Sequence, residues 1–398
     1  MKSYDWIVVG GGITGAAVSY ELAKKGFTVL LLEKYPTLKG ATRYSYAILP
    51  YWSSTTDLTN QLFQEAKERY HCLSEELETS TQFRELDLLL TIALKDDPEK
   101  IAATFNHYNT IPHLISVQEA CEMEPLLNKE AIAGALTVRN GHVSPEATTL
   151  AYSQAFTRLG GQIEIAEVTG LVKTGDNATP RYHERITGVY TTGKTHHAAN
   201  VVICAGGISR HFLKSVGIHT RIYFTHAEML EIPPTDLQLH TNVMPAVQER
   251  FQCEATTSTA EFEQMWDEPG HEFVPFSLDA GAIQFNNGCI RIGQISRVLT
   301  DPHAKIDPVQ SEVAMRSEIG KILPALEHLT ATWHHCLIAY SADNLPLIGA
   351  IPNQEGIHIF SGFSSPFAFV PPLAKRFANY IVGENDEIIK QLSPHRFV

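Results

Sequence analysis

The chain opens on an unbroken apolar run, Trp6 to Val9, which gives way to glycines. Apolar positions then resume at helical spacing through "AAVSYELAKKG" and end in a second run, "FTVLLLEK". The order predicts strand, tight turn, helix and strand. Residues 56 to 80 predict a longer helix, with Leu58, Leu62, Ala66, Tyr70, Leu73 and Leu77 on one buried face. "FRELDLLLTIAL" predicts a strand or strand pair that enters a second region.

From residue 140 the character of the opening segment returns. "NGHVSPEATTLAYSQAFTRLGGQIEIAEVTGL" reads as a loop, a helix ended by Gly160 and Gly161, and a strand. A hairpin with its turn near Thr192 and Gly193 follows, then a buried strand, Val201 to Cys204, and a small-residue turn at Ala205, Gly206 and Gly207. From about 222 to 327 strand-like pieces dominate, with one helix, "SEVAMRSEIGKIL". The chain closes on a strand, "GIHIFSG", and a helix, "PLAKRFANYIV". These alternations describe an α/β chain of two interleaved regions.

Length supports two domains, because 398 residues exceed what one simple core accommodates. A net charge of -13 argues against a surface that tracks phosphates, so no nucleic-acid partner is expected. The six cysteines, at 72, 121, 204, 253, 289 and 336, show neither CxxC pairs nor metal spacing. No metal is expected, and a reducing, cytoplasmic location is. The first residues carry an acidic group at Asp5 and glycines where a signal peptide needs an apolar core. No apolar run is long enough to span a membrane.

The first motif that carries chemistry is Gly10, Gly12 and Gly15 at GxGxxG spacing. Gly10 makes the turn, Gly12 lets backbone approach a pyrophosphate, and Gly15 lets helix and strand pack closely. Glu33, eighteen residues after Gly15, is placed to accept hydrogen bonds from ribose hydroxyls. Strand, helix and terminal acid are all present, so a dinucleotide site is expected, with Ile13, Thr14 and Lys34 beside it. The loop does not distinguish FAD from NAD.

The segments "IVVGGGITG", "EMEPLL", "NGHVSP", "ITGV", "VVICAGGIS", "DNLPLIG" and "IFSGF", in that order, resemble the D-amino-acid-oxidase-type family of FAD-dependent oxidoreductases. Length and tail look most like its sarcosine oxidase and glycine oxidase relatives. The resemblance implies a Rossmann-like FAD-binding domain from 1–82, 140–221 and 328–398. It is interleaved with a substrate domain, 83–139 and 222–327, on a mostly antiparallel sheet. It adds Thr42, Arg43, Val168, Ala205, Gly206, Asp343, Gly362, Phe363 and Ser364 to the expected cofactor contacts. Cys336, seven residues before Asp343, matches the cysteine that carries flavin through a thioether in the sarcosine oxidase group. A protonated His334 or His335 would help to lower its pKa. Arg291 falls where that group has a lysine that helps oxygen accept electrons, although such an exchange is not conservative.

Other family features are missing. The arginine that holds substrate carboxylate in glycine oxidases is replaced by Ile338, and the corresponding sarcosine oxidase arginine and lysine by Tyr46 and Phe369. These losses point to an amine with a bulky, apolar or aromatic body. Its pocket would draw on Tyr44, Tyr46, Tyr51, Trp52, Tyr223, Phe224, Tyr340, Phe367 and Phe369, with Arg297 as a substitute anchor. Arg43, Arg291, Tyr46 and Tyr340 are the catalytic candidates, and His226 a candidate selector of the neutral amine. The reaction implied is oxidation of a secondary, cyclic or N-methyl amine by hydride transfer to flavin, followed by imine hydrolysis and reoxidation by O2 to hydrogen peroxide. The alternative is a dehydrogenase of an amino acid or 2-hydroxy acid that serves a quinone or protein. A monomer or small homo-oligomer is expected.

Overall fold

The computed structural model describes residues 3–174 and 185–397. Its first sheet has eight strands, with Ser3–Val9 at the centre between Thr195–Ile203 and Val29–Glu33, both parallel to it. Gln162–Ile165 extends one edge and Ile357–Ser361 the other, again in parallel, and Leu347–Ala350 closes the second edge antiparallel. Along the first strand Trp6 and Val8 enter one core while Ile7 and Val9 enter another. A strand buried on both faces has to be apolar at every position, which explains the opening run. The helices Ile13–Lys24, Asp57–Glu76, Pro145–Arg158 and Pro366–Ile381 cover the Trp6 face. The hairpin Val168–Lys173 and Ile186–Thr191 joins the sheet through Thr195–Ile203.

The second sheet has ten strands and is antiparallel except where Asn242–Pro245 runs beside Arg84–Ala93. Helix Pro308–Ile322 covers it by burying Met315 and Ile319 against Leu230, Ile290 and Ile292. One strand alters the expected boundaries. Thr332–Ser341, assigned from sequence to the nucleotide region, pairs along its whole length with Ile222–Ile232 and belongs to the second sheet. Ile48–Leu49, from the first 82 residues, also pairs there. Each crosses over because its hydrogen-bonding partners are remote strands that local periodicity does not identify.

Sequence reading also missed the helix Glu249–Thr257, which interrupts a stretch expected to be mostly strand. Two hydrogen bonds tie it to the second sheet. Thr225 Oγ1 donates to Glu254 Oε1 at 2.7 Å, and the hydroxyls of Thr257 and Tyr340 lie 3.1 Å apart.

Candidate active site

At the first glycine turn each glycine has a stated steric reason. Gly10 sits at φ 105, and a Cβ there would meet the carbonyl of Cys204 at 2.6 Å. A Cβ on Gly15 would fall 1.8 Å from the Gly10 carbonyl, so only glycine allows the helix to start this close to the strand. Beside Gly12 stands Thr42, whose hydroxyl accepts from Ile13 N at 3.2 Å. Glu33 accepts from Gly11 N at 2.6 Å and from Tyr35 N at 2.9 Å. The backbone N–H groups of Gly12 and Thr14 meet no acceptor among the described residues. They form the positive end of a 12-residue helix, which suits a pyrophosphate.

Other expected residues gather round this turn. Thr14 Oγ1 lies 3.3 Å from the Cys204 carbonyl, which brings the turn at Ala205 and Gly206 over the loop. Lys34 pairs with Glu167 at 2.6 Å, immediately before Val168. Gly362 has φ 83, Phe363 is buried, and the buried hydroxyl of Ser364 has no partner among the described residues. Asp343 is placed differently. Both its oxygens are taken by Arg396, at 2.8 and 2.9 Å, so its carboxylate fastens the C-terminal segment rather than facing a ligand.

Cys336 projects from Thr332–Ser341 on the face shared by His334, Ile338 and Tyr340, since alternate strand positions share a side. That face meets the segment Gly40–Tyr44, where Tyr44 stacks on His334 with ring centroids 4.4 Å apart. Cys336 is buried, which pushes its thiol up to about 12. The expected histidine cations are absent, because burial lowers the pKa of both His334 and His335 and favours their neutral forms. The nearby positive groups are Arg250 and Arg291.

Both expected catalytic arginines are committed to carboxylates. Arg43 binds Glu231 through two nitrogens at 2.8 Å and lies 2.8 Å from Glu146. Arg291, 2% exposed, donates to Glu231 at 2.9 Å, Glu146 at 2.9 Å and the Ser45 carbonyl at 2.5 Å. Two arginines and two glutamates therefore form a neutral quartet that joins the sheets. Burial alone would raise Glu231, but hydrogen bonds and charge from Arg43 and Arg291 outweigh it and hold the carboxyl at about 2.

The aromatic positions divide. Tyr44, Tyr46, Tyr223 and Tyr340 lie on the Cys336 side, where the buried Tyr46 hydroxyl has no partner among the described residues and Tyr340 bonds to Thr257. Tyr51, Trp52, Phe367 and Phe369 are core residues, with Phe369 packed on Phe63 at 4.7 Å between centroids. Phe224, His226 and Arg297 fall on the opposite face of the sheet. There His226 is fully buried, held neutral by burial with a pKa of about 4, and hydrogen-bonded to His335 at 2.8 Å. Arg297 is bound to Glu228 at 2.8 Å, so neither reaches the Cys336 side. That opposite face borders a separate cavity of about 290 Å³, lined by Phe224, Trp266 and Asp301.

Three residues on the Cys336 side were missed from sequence: Arg250 and Glu254, on the unrecognised helix, and Asp279. Asp279 is 5% exposed, and burial raises its carboxyl to about 6. The available signal was the i,i+4 pair Arg250 and Glu254.

A parallel nucleotide-binding sheet with its glycine turn, joined to an antiparallel sheet that presents a buried polar face, defines a two-domain dinucleotide-dependent oxidoreductase. Residues 5–380 match the family described as FAD dependent oxidoreductase (DAO), and the chain belongs to it. The Uncharacterized oxidoreductase YurR of Bacillus subtilis (strain 168) is 22% identical over 416 residues, covering 99% of this chain and 98% of that protein. Glycine oxidase of Geobacillus kaustophilus (strain HTA426) is 28% identical over 253 residues, 60% of this chain and 64% of that protein. The crystal structure of glycine oxidase from Geobacillus kaustophilus has a TM-score of 0.77 at 21% identity and covers 100% of both chains.

The cofactor is FAD, and the residues present fit it. Unbonded N–H groups at Gly12 and Thr14, Glu33 beyond them and the unpartnered Ser364 hydroxyl are what its phosphate, ribose and ring edges require. Among the described residues no helix is long and apolar enough to cross a membrane, and no cluster of three or more His, Cys, Asp or Glu suits a metal.

Proposed function

We propose that the protein oxidises the CH–NH bond of a small amine bound between the Cys336 face and the helix Glu249–Thr257. When bound, FAD supplies the hydride acceptor. The chain positions the amine and excludes water. The observation that carries this reading is Asp279, 5% exposed and directly after the strand Ser277–Leu278, which pairs with Ile290–Arg297. An amine N–H has an acceptor in Asp279, and Ile338 puts an apolar side chain on the Cys336 face for a secondary, cyclic or N-methyl carbon skeleton to pack against. Arg43 and Arg291 hold the Ser45 to Tyr46 segment against the second sheet through Glu231 and Glu146.

A second reading concerns the electron acceptor. A fixed unbalanced cation helps O2 accept an electron, but Glu231 and Glu146 neutralise Arg291. This observation favours a dehydrogenase that delivers electrons to a quinone or protein over an oxidase that releases hydrogen peroxide. The test is to reduce the holoenzyme anaerobically with secondary, cyclic and N-methyl amines, then admit air or a soluble quinone. Faster reoxidation by quinone supports the second reading, and rapid reoxidation by air with stoichiometric peroxide supports the oxidase. Absence of reduction by every amine rejects the proposed donor class.

A further inference from the structure

The side chain of Arg250 makes no hydrogen bond among the described residues. It lies near the start of the helix Glu249–Thr257, and its side chain is 11% exposed. A guanidinium has five N–H donors, and burial without acceptors is costly. No acceptor among the described residues takes any of them, and Nε is fully shielded from solvent. Among the described residues its ion-pair partner is Glu254, 3.3 Å from Nε, whose Oε1 is the acceptor for Thr225. The two terminal nitrogens, the edge that binds a carboxylate through two parallel bonds, are left over. Other buried arginines differ. Arg69, Arg210 and Arg291 each direct terminal nitrogens at carboxylate oxygens.

The location is on the Cys336 face of the sheet. Glu254, the ion-pair partner of Arg250, accepts from Thr225, which lies directly opposite Ile338 across the paired strands. Ile338, Tyr46 and Phe369 bring no positive charge to this region, and Arg297 lies behind the sheet on Glu228. Among the described residues Arg250, paired with Glu254 through Nε and lying over the Phe251 ring at 4.6 Å, is therefore a cation of this region whose terminal nitrogens meet no acceptor.

We infer that the terminal nitrogens of Arg250 bind an anionic group of the substrate, a carboxylate, so that the substrate is a carboxylate-bearing amine gripped by the covering helix. Glu254 is the positioning residue, because its contacts with Nε and Thr225 fix the direction of the guanidinium. The inference rests on the amine-oxidising reading for the identity of the substrate, but not for the presence of the anion site. It also replaces the expectation that the lost family anchors mean a substrate without a carboxylate.

The experiment uses purified holoenzyme and titrates benzoate and benzamide, two probes of the same shape, while the visible flavin spectrum is followed. Benzoate should perturb the spectrum saturably and benzamide should not. Arg250→Met should weaken benzoate binding on the order of 10- to 100-fold, and Arg250→Lys should retain part of it. FAD content and melting temperature report whether each variant is folded. Equal benzoate affinity in wild type and a folded Arg250→Met overturns the inference, as does a wild-type response that is absent or the same for both probes. If Arg250→Met does not fold, Glu254→Gln, which disturbs only the positioning contact, should weaken benzoate severalfold, and an unchanged affinity overturns the inference. Failure of amine oxidation with a normal benzoate response would remove the donor assignment and leave the anion site.

Discussion

Glu231 shows how a single residue can be central and yet invisible in sequence. It faces Arg291 across two antiparallel strands and receives Arg43 from a segment 188 residues earlier. Its carboxyl is held at about 2, below the ordinary carboxylate range. A depressed pKa stabilises the fold above the unfolded value, near 4.5, and the contribution is lost as pH falls through about 2. Glu231→Gln, which leaves two arginines to Glu146, should cost about 3 kcal/mol at neutral pH by urea unfolding. The stability gap between wild type and variant should close between about pH 5 and pH 2, whereas a constant gap would remove Glu231 from the balance. The family resemblance singled out Cys336 by its spacing to Asp343, but its thiol is raised by burial and lacks the histidine cations expected for it. We propose that it still carries the flavin covalently, because its face meets Gly40–Tyr44, beside the glycine turn. Acid precipitation should then give a yellow pellet for wild type and a yellow supernatant for Cys336→Ala. Colour released from wild type would make Cys336 a packing residue.

At the scale of elements, the helix Glu249–Thr257 determines what the site contains. It carries Arg250 and Glu254, and it is fastened through Thr225 and Tyr340. Apart from the i,i+4 pair Arg250 and Glu254, nothing in "QERFQCEATTS" marks this role, because a short helix with alternating polar and apolar residues resembles the surrounding strand-like pieces. Tyr340, a catalytic candidate from sequence, uses its hydroxyl on Thr257. Tyr340→Phe should lower stability by about 1 kcal/mol and leave the rate of flavin reduction within about threefold of wild type. A loss of more than about a hundredfold in that rate, with unchanged stability, would return the hydroxyl to the chemistry.

For the whole molecule, the part legible in sequence was the part built from local pattern. The glycine turn, the flanking strands and helix, Glu33 and the late "IFSGF" segment occur where spacing placed them, because each is fixed by neighbours within a few tens of residues. The membership of Thr332–Ser341 in the second sheet, the Arg43, Glu231, Arg291 and Glu146 quartet, and the commitment of Asp343 to Arg396 depend on remote pairings. A one-dimensional pattern holds no record of those partners. The same limit explains why Arg297 looked available from sequence and Arg250 did not. The most direct measurement of donor chemistry is anaerobic titration of the holoenzyme with a secondary amino acid and with its 2-hydroxy acid counterpart, following the oxidised flavin band. Bleaching by the amine alone is the expected result; bleaching by the hydroxy acid alone would contradict the assignment of a CH–NH donor.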